Sequence, residues 1–63
     1  MELADQLINH LNRTGPNTIE DLAFTFENSG MSKTADAVNQ AAQDGHIELF
    51  WDAGDEVFKY KVI

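Results

Sequence analysis

The chain has no cysteine, so disulfides, a thiolate zinc site and a thiol nucleophile are all excluded. The absence fits a reducing compartment. There is one proline and no long apolar run: nothing approaches the roughly 20 residues that a membrane span needs. Residues 1–13 lack the basic start and apolar centre of a signal peptide. The expectation is a soluble cytoplasmic protein. From its initial methionine and lack of a tag, a complete small reading frame is expected. Cations are the scarcest feature: Arg13, Lys33, Lys59 and Lys61 face 11 carboxylates, for a net charge of −7. The excess is spread along the chain, −4 over residues 1–30 (five acids, one Arg) and −3 over residues 31–63 (six acids, three Lys). No acidic tail can be set aside to reveal a basic domain. Such a field repels phosphates and favours basic protein surfaces.

Sixty-three residues make one domain, 1–63, with little core to spare. Leu3, Leu7 and Leu11, broadened by Ala4 and Ile8, mark an amphipathic helix over 2–12. Glu2 and Asp5 in its first turn and Arg13 near its end suit the helix dipole. Gly15-Pro16-Asn17 breaks the chain. Thr18 caps a second helix, with Asp21 as the capping-box acid, and Ile19, Leu22, Ala23 and Phe26 follow the helical template. Asn28-Ser29-Gly30 ends it. Phe24 points away from that stripe, between Glu20 and Glu27. Either a third element covers this ring or it is an aromatic anchor for a partner.

Ser32 is placed to cap a third helix over 32–44, after a turn at Gly30-Met31 in which Met31 packs inward. Ala35, Val38 and Ala42, widened by Ala41, form its apolar face. Lys33, Asp36, Ala37, Gln40, Gln43 and Asp44 form the outer face, with Asn39 at the border. Two alternating runs then read as a hairpin around Asp52-Ala53-Gly54-Asp55. Ile47, Leu49, Trp51, Phe58 and Tyr60 fall on one face, the expected core face. The expected register sets Trp51 opposite Glu56, Leu49 opposite Phe58 and Ile47 opposite Tyr60. On the other face it pairs Glu48 with Lys59, and leaves Phe50 and Val57 as an outward apolar pair. A short parallel strand near Asn17-Thr18 is an optional addition.

Three helices, a tight turn between the second and third, and a closing hairpin resemble the winged helix-turn-helix superfamily. The resemblance lies in architecture and covers essentially the whole chain. It implies an α+β fold: a three-helix bundle with a helix-turn-helix, followed by a C-terminal β-hairpin wing. In that superfamily the third helix is the recognition helix.

No constellation here carries catalysis. His10 and His46 are the only imidazoles, and nothing in the sequence groups either with a nucleophile and an acid. No His pair has metal-ligand spacing, and the acidic turn is far shorter than a calcium loop. Enzyme activity, a metal and a cofactor are therefore not expected.

Two binding readings compete. The first is recognition of a protein with a basic, apolar surface, through Phe24 with Glu20 and Glu27 and through the wing residues Phe50, Trp51, Val57, Asp52, Asp55 and Glu56. It covers an adaptor or subunit, and a small inhibitor whose carboxylates imitate DNA phosphates. The second is a DNA-binding regulator, with helix 32–44 in the groove and Lys33, Asn39, Gln40, Gln43, Lys59 and Lys61 as contacts. Asn and Gln can pair bidentately with adenine. Duplex affinity, however, rests on Lys and Arg neutralising phosphates, and here both the third helix and the wing tip are net acidic. Charge favours the protein partner. A homodimer through Phe50 and Val57 is a third use of the same surface.

Overall fold

A computed structural model describes residues 1–63. Its order is α1 (Leu3–Thr14), α2 (Ile19–Thr25), a 3-10 turn (Glu27–Ser29), α3 (Met31–Gln43), β1 (Ile47–Asp52) and β2 (Val57–Val62). Three helices followed by an antiparallel two-stranded hairpin make an α+β, winged-helix-like arrangement.

The first two helices follow the expected stripes. Leu7 and Leu11 of α1 are fully buried, and Leu3, Ala4 and Ile8 pack beside them. Gly15 stops α1 at a φ of 89°, a conformation costly to any residue with a Cβ, and its N–H donates to the Leu11 carbonyl at 2.8 Å. In α2 the capping box is complete. The Asp21 N–H donates to the Thr18 hydroxyl at 3.0 Å, and the Thr18 N–H to the Asp21 carboxylate at 3.2 Å. Leu22 carries the buried face, with Ile19 and Phe26 flanking it.

The third helix departs from expectation at its start and in its phase. Gly30, at φ 88°, is the N-cap, and Ser32 lies inside the helix with no capping bond. Met31 is the first helical residue, and its side chain is exposed, not packed at the corner. The inward stripe is Thr34, Ala37, Val38 and Ala41, whereas Ala35 is half-buried and Ala42 faces solvent. The Thr34 hydroxyl and N–H both donate to the Gly30 carbonyl, at 2.9 and 3.0 Å, so its burial leaves no polar group unpaired. Alanine supplies the reason for the phase error. Small residues on both sides of a helix give its apolar face no sharp direction, and a satisfied threonine then completes the stripe.

The hairpin pairs Ile47 with Val62, Glu48 with Lys61, Leu49 with Tyr60, Phe50 with Lys59, Trp51 with Phe58, and Asp52 with Val57. This is two residues from the expected register, so the faces survive and the partners change. Glu48 meets Lys61, not Lys59, and Phe50 no longer faces Val57. The optional parallel strand near Asn17-Thr18 is not formed. In its place Asn17 forms a single antiparallel bridge with Tyr60.

The core is one cluster: Leu7, Leu11, Leu22, Ala37, Val38, Ala41 and Ile47. Strand β1 meets it through α3 and β2 through α1. Only the inner end of the hairpin is covered, because Ile47 is buried while Leu49, Trp51 and Phe58 on the same face are not. The expected core face therefore stops within the second rung, where Tyr60 still packs on the core and Leu49 does not.

Truncation should separate these roles in urea unfolding. Leu22→Ala is expected to cost about 2–5 kcal/mol, and Thr18→Ala about 1 kcal/mol through the lost cap. Met31→Ala and Phe24→Ala, at exposed sites, should fall within about 0.5 kcal/mol of wild type. A core-sized loss at Phe24 would contradict its placement.

Candidate functional site: the outer half of the hairpin

The turn builds itself from Asp52. One carboxylate oxygen, Oδ1, accepts from the N–H groups of Gly54 and Asp55 at 2.9 and 3.2 Å, a side-chain-capped turn. The other, Oδ2, lies 2.9 Å from the Lys59 ammonium, and the Asp55 carboxylate accepts from the same ammonium at 2.6 Å. Glu56 completes the turn at a φ of 56°. The hydrogen bond from Lys59 thus lowers the pKa of the Asp52 carboxyl from its ordinary value, helped by the Asp55 N–H. The hydrogen bonds to Asp55 and Asp52 push Lys59 itself further up.

The two faces of the hairpin differ in kind. One carries the ions: Lys59 between Asp52 and Asp55, and Lys61 3.5 Å from Glu48. Lys61 also sits over the Phe50 ring, 5.1 Å from its centroid, and Phe50 and Val57 are half-buried. The outward Phe50/Val57 pair expected from sequence is not formed. The other face is an apolar ladder rising from the core, Ile47 with Val62, Leu49 with Tyr60, Trp51 with Phe58. Its last rung is an edge-to-face contact, with Trp51 and Phe58 centroids 5.0 Å apart at 70°. Leu49, Trp51 and Phe58 are 51%, 53% and 58% exposed, so most of this rung and half of the one below it face water.

The remaining sequence-derived residues are dispersed. Phe24 is 76% exposed on α2, between exposed Glu20 and Glu27; no third element covers it. Its ring makes no aromatic contact with the hairpin, the ring pairs being Trp51–Phe58 and His10–Phe26. On α3, Lys33, Asn39, Gln40 and Gln43 are exposed. The Gln40 amide already donates to Asp44 at 3.0 Å. Lys59 and Lys61 are engaged by carboxylates, and Lys33 forms no ion pair.

An open groove of about 310 Å³ lies between α1 and the end of α2, with His10, Arg13, Thr25 and Phe26 in its wall. His10 packs its ring edge-on to Phe26, and the Thr25 hydroxyl donates to the Asp21 carbonyl. No carboxylate lines this groove. Nowhere do three His, Asp or Glu side chains group as a metal site requires.

In the hairpin, Leu49, Trp51 and Phe58 fall on the expected core face and the structure places them at the surface. Length was the available signal. A six-residue strand runs about 20 Å, whereas one helix layer covers only about 10 Å. The outer half of each strand had to overhang. Comparison with family models, curated proteins and solved structures returns no match for this chain.

The charge arrangement predicts a pH response. Asp52 stabilises the turn wherever it is ionised, above its ordinary value of 3.8, and this contribution is lost as pH falls through the lowered folded value. Lys59 contributes below its ordinary 10.5 and loses its effect only in stronger alkali. The turn is therefore fully stabilised between about pH 4 and 10. In a carbon-detected titration Asp52 should titrate below 3.8, and Lys59→Met should bring it back toward that value. An unchanged midpoint in the variant would remove Lys59 as the cause.

Proposed function

We propose that this chain is a non-catalytic binding module for another protein, and that the outer half of its hairpin is the principal contact. The observation that carries this reading is the exposed Leu49, Trp51 and Phe58 face on a chain of net charge −7. Two large aromatic rings half in water are the residue type that dominates binding energy at protein interfaces. Carboxylates at Asp52, Asp55 and Glu56 ring the tip and select a basic, apolar-studded surface. Phe24 with Glu20 and Glu27 offers a second, smaller anchor of the same kind. The role is that of an adaptor or subunit, or of an inhibitor that occupies a DNA-binding protein by presenting carboxylates in place of phosphates.

DNA binding through α3 is the second reading, favoured by the exposed Asn39, Gln40, Gln43 and Lys33. The phosphate term opposes it. Both hairpin lysines are already engaged by the chain's own carboxylates, and α3 with its C-cap is net −1 (Lys33 against Asp36 and Asp44). Protein that neutralises few phosphates releases few counterions and gains little.

Fluorescence anisotropy with labelled random duplex DNA at low salt discriminates the two. No binding is expected at micromolar protein, where electrostatic attraction is least screened. Salt-sensitive binding that weakens on Lys33→Glu would overturn the protein-binding reading and restore the α3 surface.

A further inference from the structure

The hairpin has one edge with no strand or bridge against it, that of β1, and its phase is fixed at two points. Asn17 and Tyr60 exchange both main-chain bonds, at 3.1 and 2.7 Å, on the side of β2 away from β1. In an antiparallel ladder, residues alternate between bonding their partner and facing outward. Tyr60 therefore faces outward, and so does its partner Leu49. At the base, the Ile63 N–H donates to the His46 carbonyl at 3.1 Å, which sets the same alternation. It follows that Ile47, Leu49 and Trp51 turn their N–H and C=O groups away from β2. Ile47 is buried under the helices, but Leu49 and Trp51 are half exposed, and no turn, loop or cap bond reaches their main chain. On β2 the matching edge is closed at its centre by Asn17. Strand β1 carries no lysine, proline or bulge on this edge, and its only charges are the carboxylates of Glu48 and Asp52.

We propose that β1 receives an extended segment of a partner protein as a third strand, paired through the main chain of Leu49 and Trp51. This rests on the protein-binding reading and specifies its geometry. The face of the sheet dictates the segment's chemistry, because side chains of an added strand alternate as those of β1 do. Residues beside Leu49 and Trp51 continue the apolar ladder and cover the Trp51–Phe58 pair. Residues on the opposite face lie beside Glu48 and Asp52 and are basic. Glu48 is half exposed and only 3.5 Å from Lys61, so it keeps the capacity to accept from a new cation.

A second copy of this chain is disfavoured in the register that pairs Leu49 with Trp51. Pairing β1 with itself antiparallel about Phe50 uses the outward groups of Leu49 and Trp51 in both copies. It also places Glu48 directly opposite Asp52 twice, and like charges across strands destabilise a sheet. Two chains of −7 add long-range repulsion. The same two carboxylates that reject a copy accept an alternating apolar and basic strand.

The probe is a capped synthetic peptide of alternating valine and lysine, about six residues long to match an ordinary strand. A second peptide of the same composition has its valines and lysines in separate blocks. A third is the alternating peptide N-methylated at every other residue, on the amides that face the edge. Amide hydrogen exchange is followed by NMR on the labelled protein, free and with each peptide. In the free protein the Leu49 and Trp51 amides should exchange rapidly and independently of protein concentration. With the alternating peptide both should slow by about tenfold or more, and the blocked and N-methylated peptides should bind about tenfold more weakly. Binding that leaves Leu49 and Trp51 unprotected, or protects Phe58 and Val62 instead, overturns strand addition at β1 but leaves the protein-binding reading standing. Absence of binding by the alternating peptide, or protection in the free protein that grows with concentration, overturns the inference as well. The wider reading is tested separately, by the DNA titration.

Discussion

The packing of Leu7, Leu11, Leu22, Val38 and Ile47 into one small cluster sets the limits for everything else in the chain. Each of these side chains contributes about 1.5–3 kcal/mol by leaving water, and a 63-residue domain has few more to use. Helices α1 and α3 close over the cluster and reach the first rung of the hairpin and Tyr60 of the second. Ile47 is therefore core, while Leu49 and Trp51, two and four residues along the same face, are surface. The apolar face of the hairpin is thus continuous from interior to solvent, and a ligand that covers its outer part extends a core that already exists.

On the proposed reading, electrostatics gives that surface its selectivity. The hairpin's two cations are held in place by carboxylates of the same hairpin, Lys59 by Asp52 and Asp55, Lys61 by Glu48. Surface pairs of this kind add little stability each. Their larger effect is to fix where charge is presented. The ion-bearing face is partly neutralised, the aromatic face carries no ion, and the unbalanced negative charge is spread over the rest of the molecule. A phosphate backbone finds no basic stripe, whereas a cationic protein surface is attracted from every side.

Much of this was legible in the chain itself. The leucine stripe of α1 and the Thr18–Asp21 capping box state their helices without ambiguity, since large residues at i, i+4 and i+8 leave one face to bury. Alanine-rich α3 does not: Ala37 was assigned outward and is buried, and Ala42 the reverse. The hairpin shows a second kind of limit. Alternation fixes which side chains share a face, but a two-residue slip preserves every face. The choice falls to the turn, where Asp52 caps Gly54 and Asp55, and to the gain of setting Trp51 against Phe58 in place of Glu56. Exposure was the least legible property, because Leu49 and Phe58 are apolar whether a protein's own helices cover them or not.

Trp51 is the sole tryptophan, so its fluorescence reports on the disputed surface alone. Acrylamide quenching of the free protein, measured across a wide range of protein concentration, tests the central claim most directly. The account predicts red-shifted emission and efficient quenching at every concentration, since neither the helices nor a second copy covers the ring. Blue-shifted emission with weak quenching, or quenching that falls as protein concentration rises, would show the face already occupied and contradict it.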